Sequence, residues 1–278
     1  MSPATRKRKV RWGQNFLHDA TIAGRIVDWA GAEGQRVLEI GPGRGALTAG
    51  LAAAAAHLYL IEIDPRLAAD WRRRYGGDPR VTVWEGDAMT FDLGGRLQEP
   101  VKVVANLPYE SATAMVGRLL GLGTLVTEMV VMLQKEVALR LAASAGAKGY
   151  GRLTVLTRLK ADIEEGMTVG PDAFRPRPKV HSMLLRIRPL PRPRYEVGDE
   201  QLFADLLEAA FSSRRKMLRN SLSPWLDRCL GRRQGLACIE EAGIDASDRP
   251  ERIGLEAWAR LSAGVCLALE RNAGTAGN

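Results

Sequence analysis

Three glycines in five residues, Gly41-Pro42-Gly43-Arg44-Gly45, follow the strand-like run Arg36-Val37-Leu38-Glu39-Ile40 and lead into a helical pattern beginning near Ala46. Glycines let a backbone pass close to a ligand. A second apolar strand, Leu58 to Ile63, brings Glu62 to its end, 21 residues beyond Gly41, where a carboxylate can accept both hydroxyl hydrogens of a ribose. A strand, a glycine loop, a helix and an acid-tipped strand in that order describe a nucleoside site on a parallel sheet.

The alternation continues. Val81-Thr82-Val83-Trp84 reads as a third strand leading to Glu85-Gly86-Asp87-Ala88, and Val101 to Asn106 as a fourth. A helical stretch to Leu120, a fifth strand from Glu128 to Leu133 and a helix from Lys135 to Ala143 come next. Ile163 to Val169 and Ser182 to Ile187 are late strands, the latter the antiparallel member. This pattern predicts an α/β, Rossmann-like sheet with helices on both faces, whose ligands gather at the carboxyl ends of the strands, where Gly41, Glu62, Asp87 and Asn106 fall. The loop spacing is G-x-G-x-G and not the G-x-G-x-x-G of dinucleotide binding. Glu39 precedes it by two residues, where a carboxylate can face an amino or sulfonium group better than a pyrophosphate, so S-adenosylmethionine is favoured over NAD. Asp87 is an acceptor for the adenine amine of such a cofactor, or else a turn or helix-cap aspartate.

Asn106-Leu107-Pro108-Tyr109 places an amide, backbone carbonyls and an aromatic ring at the end of a buried strand. The amide and carbonyls can hold an exocyclic amine, the ring face can stack on a base, and the proline fixes the backbone that aims them. The alternative is a loop with an Asn, a Pro and a buried Tyr.

A chain of 278 residues with 46% hydrophobic and 26% charged residues can bury about three quarters of its unfolded surface, so a substantial core is expected. No apolar run reaches the roughly 18 residues of a membrane span. Cys229, Cys238 and Cys266 lack CxxC spacing and His18, His57 and His181 are scattered, so neither a disulfide framework nor a metal site is expected. The basic amino terminus lacks an apolar signal-peptide core, and a reducing cytoplasm fits best. Of the net charge of +8, the whole excess equals that of the stretch from Arg175 to Arg233, with 14 Lys/Arg against 6 Asp/Glu. A polyanion such as RNA is the expected partner, a solvated basic face the alternative.

Arg6, Lys7, Arg8, Lys9 and Arg11 form a basic arm, followed by Gly13 to Leu17. Asp19 can cap a helix with Ile22, Ile26 and Trp29 on one face, so that residues 1–18 make an arm and cofactor lid. Phe174-Arg175-Pro176-Arg177-Pro178-Lys179-Val180 is a stiff basic loop. It can clamp RNA through Arg175 and Arg177, with Phe174 stacking on an extruded base or else plugging the core. The linker Pro189 to Pro193 divides a sheet domain, 19–190, from a helical RNA-binding domain, 191–278. In the latter Phe203, Leu206, Leu207 and Ala210 make an apolar stripe. Arg214, Arg215, Lys216 and Arg219 follow, Arg215 and Arg219 sharing a helix face by their spacing. The closing helix, Leu255 to Glu270, buries Trp258, Leu261 and Val265.

Together these residues resemble the bacterial small-subunit (16S) ribosomal RNA adenine dimethyltransferases over nearly the full length. The resemblance rests on Gly13 to Leu17, Glu39 to Gly45, Ile61 to Asp64, Asp87-Ala88-Met89, Asn106 to Tyr109, Leu133 to Val137, Tyr150 to Leu153, Phe174 to Val180 with Ser182, and Ala210-Phe211 through Arg214-Arg215-Lys216 to Leu222. It implies an S-adenosylmethionine-dependent fold with Asn15, Leu17, Gly41, Glu62, Asp87, Ala88 and Asn106 at the cofactor. It further implies a carboxyl-terminal RNA-binding domain and transfer of two methyl groups to each of two adjacent adenines near the 3′ end of small-subunit RNA. The implied setting is a monomer acting on a pre-ribosomal particle. Where the family usually continues Asn-Leu-Pro-Tyr with Asn-Ile-Ser, this chain has Glu110-Ser111-Ala112; that carboxylate repels phosphate unless it faces a helix amino terminus. Three other readings stay open: a large-subunit RNA methyltransferase of the antibiotic-resistance type, a noncatalytic ribosome-assembly factor and a NAD-dependent dehydrogenase. The intact Asn106 to Tyr109 motif argues against the second and the glycine spacing against the third.

Overall fold

The computed structural model describes residues 15–213 and 215–275. The basic arm, Gly13, Gln14 and Arg214 lie outside them. In chain order the elements are β1 (Phe16–Leu17), α1 (Ala20–Ala30), β2 (Arg36–Ile40), α2 (Thr48–Ala54), β3 (His57–Glu62), α3 (Pro65–Tyr75), β4 (Val81–Glu85), α4 (Leu93–Arg96), β5 (Val101–Asn106), α5 (Ala112–Leu120) and β6 (Val126–Gln134). Next come α6 (Lys135–Ala142), α7 (Arg152–Lys160), β7 (Ala161–Val169), β8 (Phe174–Arg175) and β9 (Ser182–Pro189). The chain ends with α8 (Glu200–Phe211), α9 (Leu218–Ser221), α10 (Ser223–Leu230), α11 (Arg232–Glu241) and α12 (Leu255–Thr275).

Among the described residues, seven strands form one sheet in the order β4-β3-β2-β5-β6-β9-β7. Pairing is parallel from β4 to β6, and β9 runs antiparallel to β6 with Gln134 opposite Ser182. Val37, Leu58, Leu60, Val104 and Val130 point to one face and pack with Ile26, Leu51 and Trp71. Leu38, Ile40, Val103, Ala105 and Val131 alternate to the other and are also buried, as befits parallel strands covered on both faces. Each such Val, Leu or Ile side chain contributes about 1.5–3 kcal/mol of transfer free energy. Helix starts are set locally: Asp19 accepts from the Ile22 N–H at 3.0 Å, and Asp64 from the Arg66 N–H at 3.0 Å with Pro65 in the first turn. These caps satisfy donors a helix cannot satisfy internally. The chain reverses strand order between β2 and β5, which opens a crevice at their carboxyl ends.

Two compact units result. One comprises the described chain to Ala138 together with Glu164–Pro189; the other comprises Leu139–Ile163 together with the described chain from Leu190. The expectation of an uninterrupted sheet domain over 19–190 is therefore corrected. Residues 139–163 supply Tyr150, Val155 and Leu159 to a core built with Phe203, Leu207 and Trp258, and the Tyr150 hydroxyl donates to the Ile253 carbonyl at 2.9 Å. Their apolar face finds its partners in the carboxyl-terminal helices. The helix after the glycine loop begins at Thr48, two residues later than its pattern predicts, because residues 43–47 form turns.

Candidate active site

The loops that follow β2, β3, β4 and β5 enclose a cavity of about 500 Å³, within the range of small-molecule and cofactor sites. Gly41, Glu62, Asp87, Ala88, Asn106, Leu107, Pro108 and Tyr109 line it, with Asn15 and Phe16 from the amino-terminal side. Eight of the residues that the sequence reading assigns to chemistry thus converge with Asn15 on one space. Gly41 has a φ of 66°, and a Cβ built there meets nothing within 4 Å, so the backbone borders open room. At Gly43, with φ 56°, a Cβ would lie 2.9 Å from the Phe16 ring. The missing side chain is what lets Phe16 close on the loop, with the Arg44 guanidinium 4.9 Å from its ring centre.

Glu62 is fully buried. Its two carboxylate oxygens accept from the Gly43 and Asp64 N–H groups, each at 2.9 Å. A carboxylate has about four acceptor positions, so a diol can still be bound while the backbone holds the group in place. Asp87 is exposed and accepts from the Met89 N–H at 2.8 Å; it makes the turn foreseen as its alternative role while bordering the cavity.

Glu39 departs from its expected role. It is 3% exposed and borders a separate void of about 30 Å³ beneath the glycine loop, not the main cavity. Burial pushes its carboxyl up to about 8; the Thr48 hydroxyl opposes this and the Glu62 charge adds to it. Glu39 Oε2 is buried without a hydrogen-bond partner among the described residues. In this state the group is mostly a neutral acid at pH 7 and no counter-ion for a cation. Leu17, expected at the cofactor, is 5% exposed in the core beside Ile26 and Phe174 and also lies off the main cavity.

Asn106 ends β5 opposite Met132. Its Nδ2 donates to the Asn15 carbonyl at 3.1 Å, which leaves Oδ1 as an acceptor. The Pro108 carbonyl accepts from the Ser111 N–H at 3.2 Å, and the Leu107 N–H donates to the Met132 carbonyl at 3.2 Å. No backbone hydrogen bond ends on the Leu107 carbonyl among the described residues. The half-buried Tyr109 has its hydroxyl 2.8 Å from Ser182 Oγ. Sequence reasoning valued only the ring face and gave Ser182 no contact; no local signal connects residues 73 apart. Glu110 immediately precedes Ser111, the N-cap of α5, where a helix amino terminus favours negative charge.

Of the residues expected at RNA, Phe174 is corrected: it is 1% exposed, pairs with Leu17 across the β1–β8 ribbon and plugs the core. Arg175 is exposed opposite Phe16, and Arg177 is exposed and paired with Asp172 at 3.1 Å. Such a surface pair is weak and readily exchanged for phosphate. Arg215 and Lys216 are exposed in the turn before the four-residue α9, which carries Arg219. Arg215 and Arg219 therefore do not share a helix face as their spacing predicted.

Residues 5–262 match the family model described as ribosomal RNA adenine dimethylase. The chain is 41% identical over 260 residues to ribosomal RNA small subunit methyltransferase A of Pseudomonas aeruginosa, covering 92% of this chain and 94% of that one. To the protein of the same name in Geobacter sulfurreducens it is 43% identical over 263 residues, with the same coverages. Among solved structures it is similar to a dimethyladenosine transferase from Plasmodium falciparum (TM-score 0.76, 25% identity, 88% and 95% covered). It is also similar to the 23S rRNA methyltransferase ErmE (TM-score 0.69, 30% identity, 90% and 99% covered).

Proposed function

Because the chain belongs to the ribosomal RNA adenine dimethylase family, we propose that it dimethylates the exocyclic amines of two adjacent adenines near the 3′ end of small-subunit ribosomal RNA. It does so in the cytoplasm as a monomer on a pre-ribosomal particle. The identity of 41–43% to relatives named for the small subunit, against 30% to a 23S enzyme, favours this target over the large subunit. Among the described residues no helix is long and apolar enough to cross a membrane.

The methyl donor is S-adenosylmethionine, which supplies an electrophilic methyl group on a sulfonium centre. The cavity suits it: Glu62 offers buried acceptor positions to a ribose, Asp87 one to an adenine amine, and the Gly41 backbone leaves room for the chain between. The observation that carries the proposal is the fixed amide of Asn106. An adenine amine is a poor nucleophile because its lone pair is delocalised into the ring. Asn106 Oδ1 and the Leu107 carbonyl accept hydrogen bonds from its N–H groups, turn the lone pair toward the methyl group and stabilise the positive charge that grows on nitrogen. A strong base is not required, since the nitrogen sheds its proton to water once the N–C bond has formed and the methyl–sulfur bond has broken, its electron pair staying on sulfur as a neutral thioether. Tyr109 stacks on the extruded base, with about 1–3 kcal/mol available from such a contact to offset unstacking.

Asn106→Ala is expected to slow single-turnover methyl transfer by roughly 100-fold or more, since loss of one preorganised group at a developing charge costs about 3–4 kcal/mol. Cofactor binding should weaken but remain measurable. A near-normal rate would remove Asn106 from the mechanism. The target is tested by incubating the protein with labelled cofactor and unmethylated small and large subunits, then mapping the label by mass spectrometry. Label confined to large-subunit RNA overturns the small-subunit assignment.

A further inference from the structure

The antiparallel strand β9 brings its first residue to the edge of the sheet where the parallel strands bring their last. Ser182 lies opposite Gln134 at the end of β6, and β6 in turn pairs with β5, whose final residue is Asn106. The backbone on either side is held as well: the Lys135 N–H donates to the His181 carbonyl at 2.9 Å. Ser182 is completely buried and leads into Met183, Leu184 and Leu185, a setting in which an apolar residue would serve the core equally well. Its hydroxyl is instead 2.8 Å from that of Tyr109, which lines the cavity from a loop. An aromatic side chain can swing among rotamers about its Cα–Cβ bond, carrying the far end of the ring with it. A tether at the phenol oxygen, anchored to the sheet, fixes where that end lies.

We propose that Ser182 is a positioning residue for methyl transfer, its hydroxyl holding the far end of the Tyr109 ring and so the place at which the target adenine stacks. This rests on the reading of Tyr109 as the stacking platform. It replaces the simpler expectation that only the ring face matters: Tyr109→Phe keeps the face and loses the tether.

The test is a double-mutant cycle on single-turnover methyl transfer at saturating cofactor and small subunit, using Ser182→Ala, Tyr109→Phe and the two combined, with Tyr109→Ala as a control. Each single variant is expected to slow transfer roughly tenfold, a modest share of what misplacement of a reacting group can cost. The double variant is expected to be no slower than the slower single one, because both remove the same bond. Cofactor affinity by calorimetry should be unchanged, and 2-aminopurine placed at the target base should be less quenched in Ser182→Ala than in the wild type. A wild-type rate in Ser182→Ala, or losses that multiply in the double variant, overturns the proposal. If Ser182→Ala melts below the assay temperature, Tyr109→Phe carries the test, and a wild-type rate in it overturns the proposal. A wild-type rate in Tyr109→Ala rejects the platform itself; an inactive Tyr109→Ala beside a fully active Ser182→Ala rejects only the tether.

Discussion

Glu39 and Glu62 lie near the ends of adjacent parallel strands and both are buried, yet among the described residues only Glu62 is supplied with backbone donors. With Glu39 raised from 4.5 to about 8 in the folded protein, the unfolded chain binds fewer protons between those values. Stability of the cofactor-free protein therefore falls as pH rises through that window, by at most about 1.4 kcal/mol per unit. Glu39→Gln preserves the neutral form and should flatten the decline; melting temperatures of the two proteins from pH 5 to pH 8 check this, and parallel curves would contradict it. Glu62→Ala is expected to act on binding, raising the cofactor's dissociation constant about tenfold or more, the worth of a charge-assisted hydrogen bond. The maximal rate should fall less, because the ribose contacts are the same before and during transfer. Unchanged affinity by calorimetry would make Glu62 purely structural.

β5, β6 and β9 are joined by side chains as well as by their ladders. Glu128 on β6 accepts from Arg186 at 3.0 Å and Arg188 at 2.9 Å on β9, and lies 3.2 Å from Lys102 on β5. Lys102 also donates to the Gly31 carbonyl at 2.9 Å and to that of Ala30, capping the end of α1, and the Arg186 guanidinium sits 4.5 Å over the Trp29 ring. Burial works to raise the Glu128 carboxyl, but Lys102 and Arg186 together outweigh it and hold it below the usual range. The cluster therefore contributes at neutral pH and is lost as acid protonates Glu128. Removing this carboxylate leaves two cations with side chains only 12% and 15% exposed and fewer partners. Glu128→Ala should cost about 3 kcal/mol in urea unfolding while the relative effects of substitutions at Asn106 persist. A change under about 0.5 kcal/mol would place the cluster among solvated surface pairs.

The helical unit carries its charge differently from the sheet. Arg215, Lys216, Arg219, Arg228, Arg232 and Arg233 are exposed, whereas Glu208, an acid near enough in sequence to neutralise them, is 3.3 Å from Arg152. Arg219 has Asp245 nearby, whose carboxyl is held low chiefly by its hydrogen bonds to Ser247. We infer that these cations meet RNA phosphate. Arg215→Ala with Arg219→Ala should weaken RNA binding, reduce the salt dependence by about 0.7 per lost contact on single-stranded RNA, and leave cofactor affinity alone. RNA affinity over a salt series, beside thermal melting, tests this; an unchanged slope with a lowered melting temperature would assign the arginines to stability.

The glycine loop, the acid-tipped strand and Asn106 to Tyr109 were legible without coordinates because each depends on short-range rules. Strand periodicity spans a few residues, glycine backbone freedom one, and parallel topology carries every strand end to the same edge. Glu39, Leu17 and residues 139–163 were not legible, and Phe174 was left between two roles, because burial is decided by neighbours distant along the chain. Phe174 is covered only when β8 pairs with β1, about 160 residues earlier, and Glu39 only when the glycine loop folds over it. The same limit hid both contacts that aim the site, Asn106 to Asn15 across 91 residues and Tyr109 to Ser182 across 73. Local pattern determined which groups arrive at the cavity; the long-range packing of β1, β8 and β9 decided how those groups are turned once there, since a side chain's orientation is fixed by the atoms it touches and not by its neighbours in sequence.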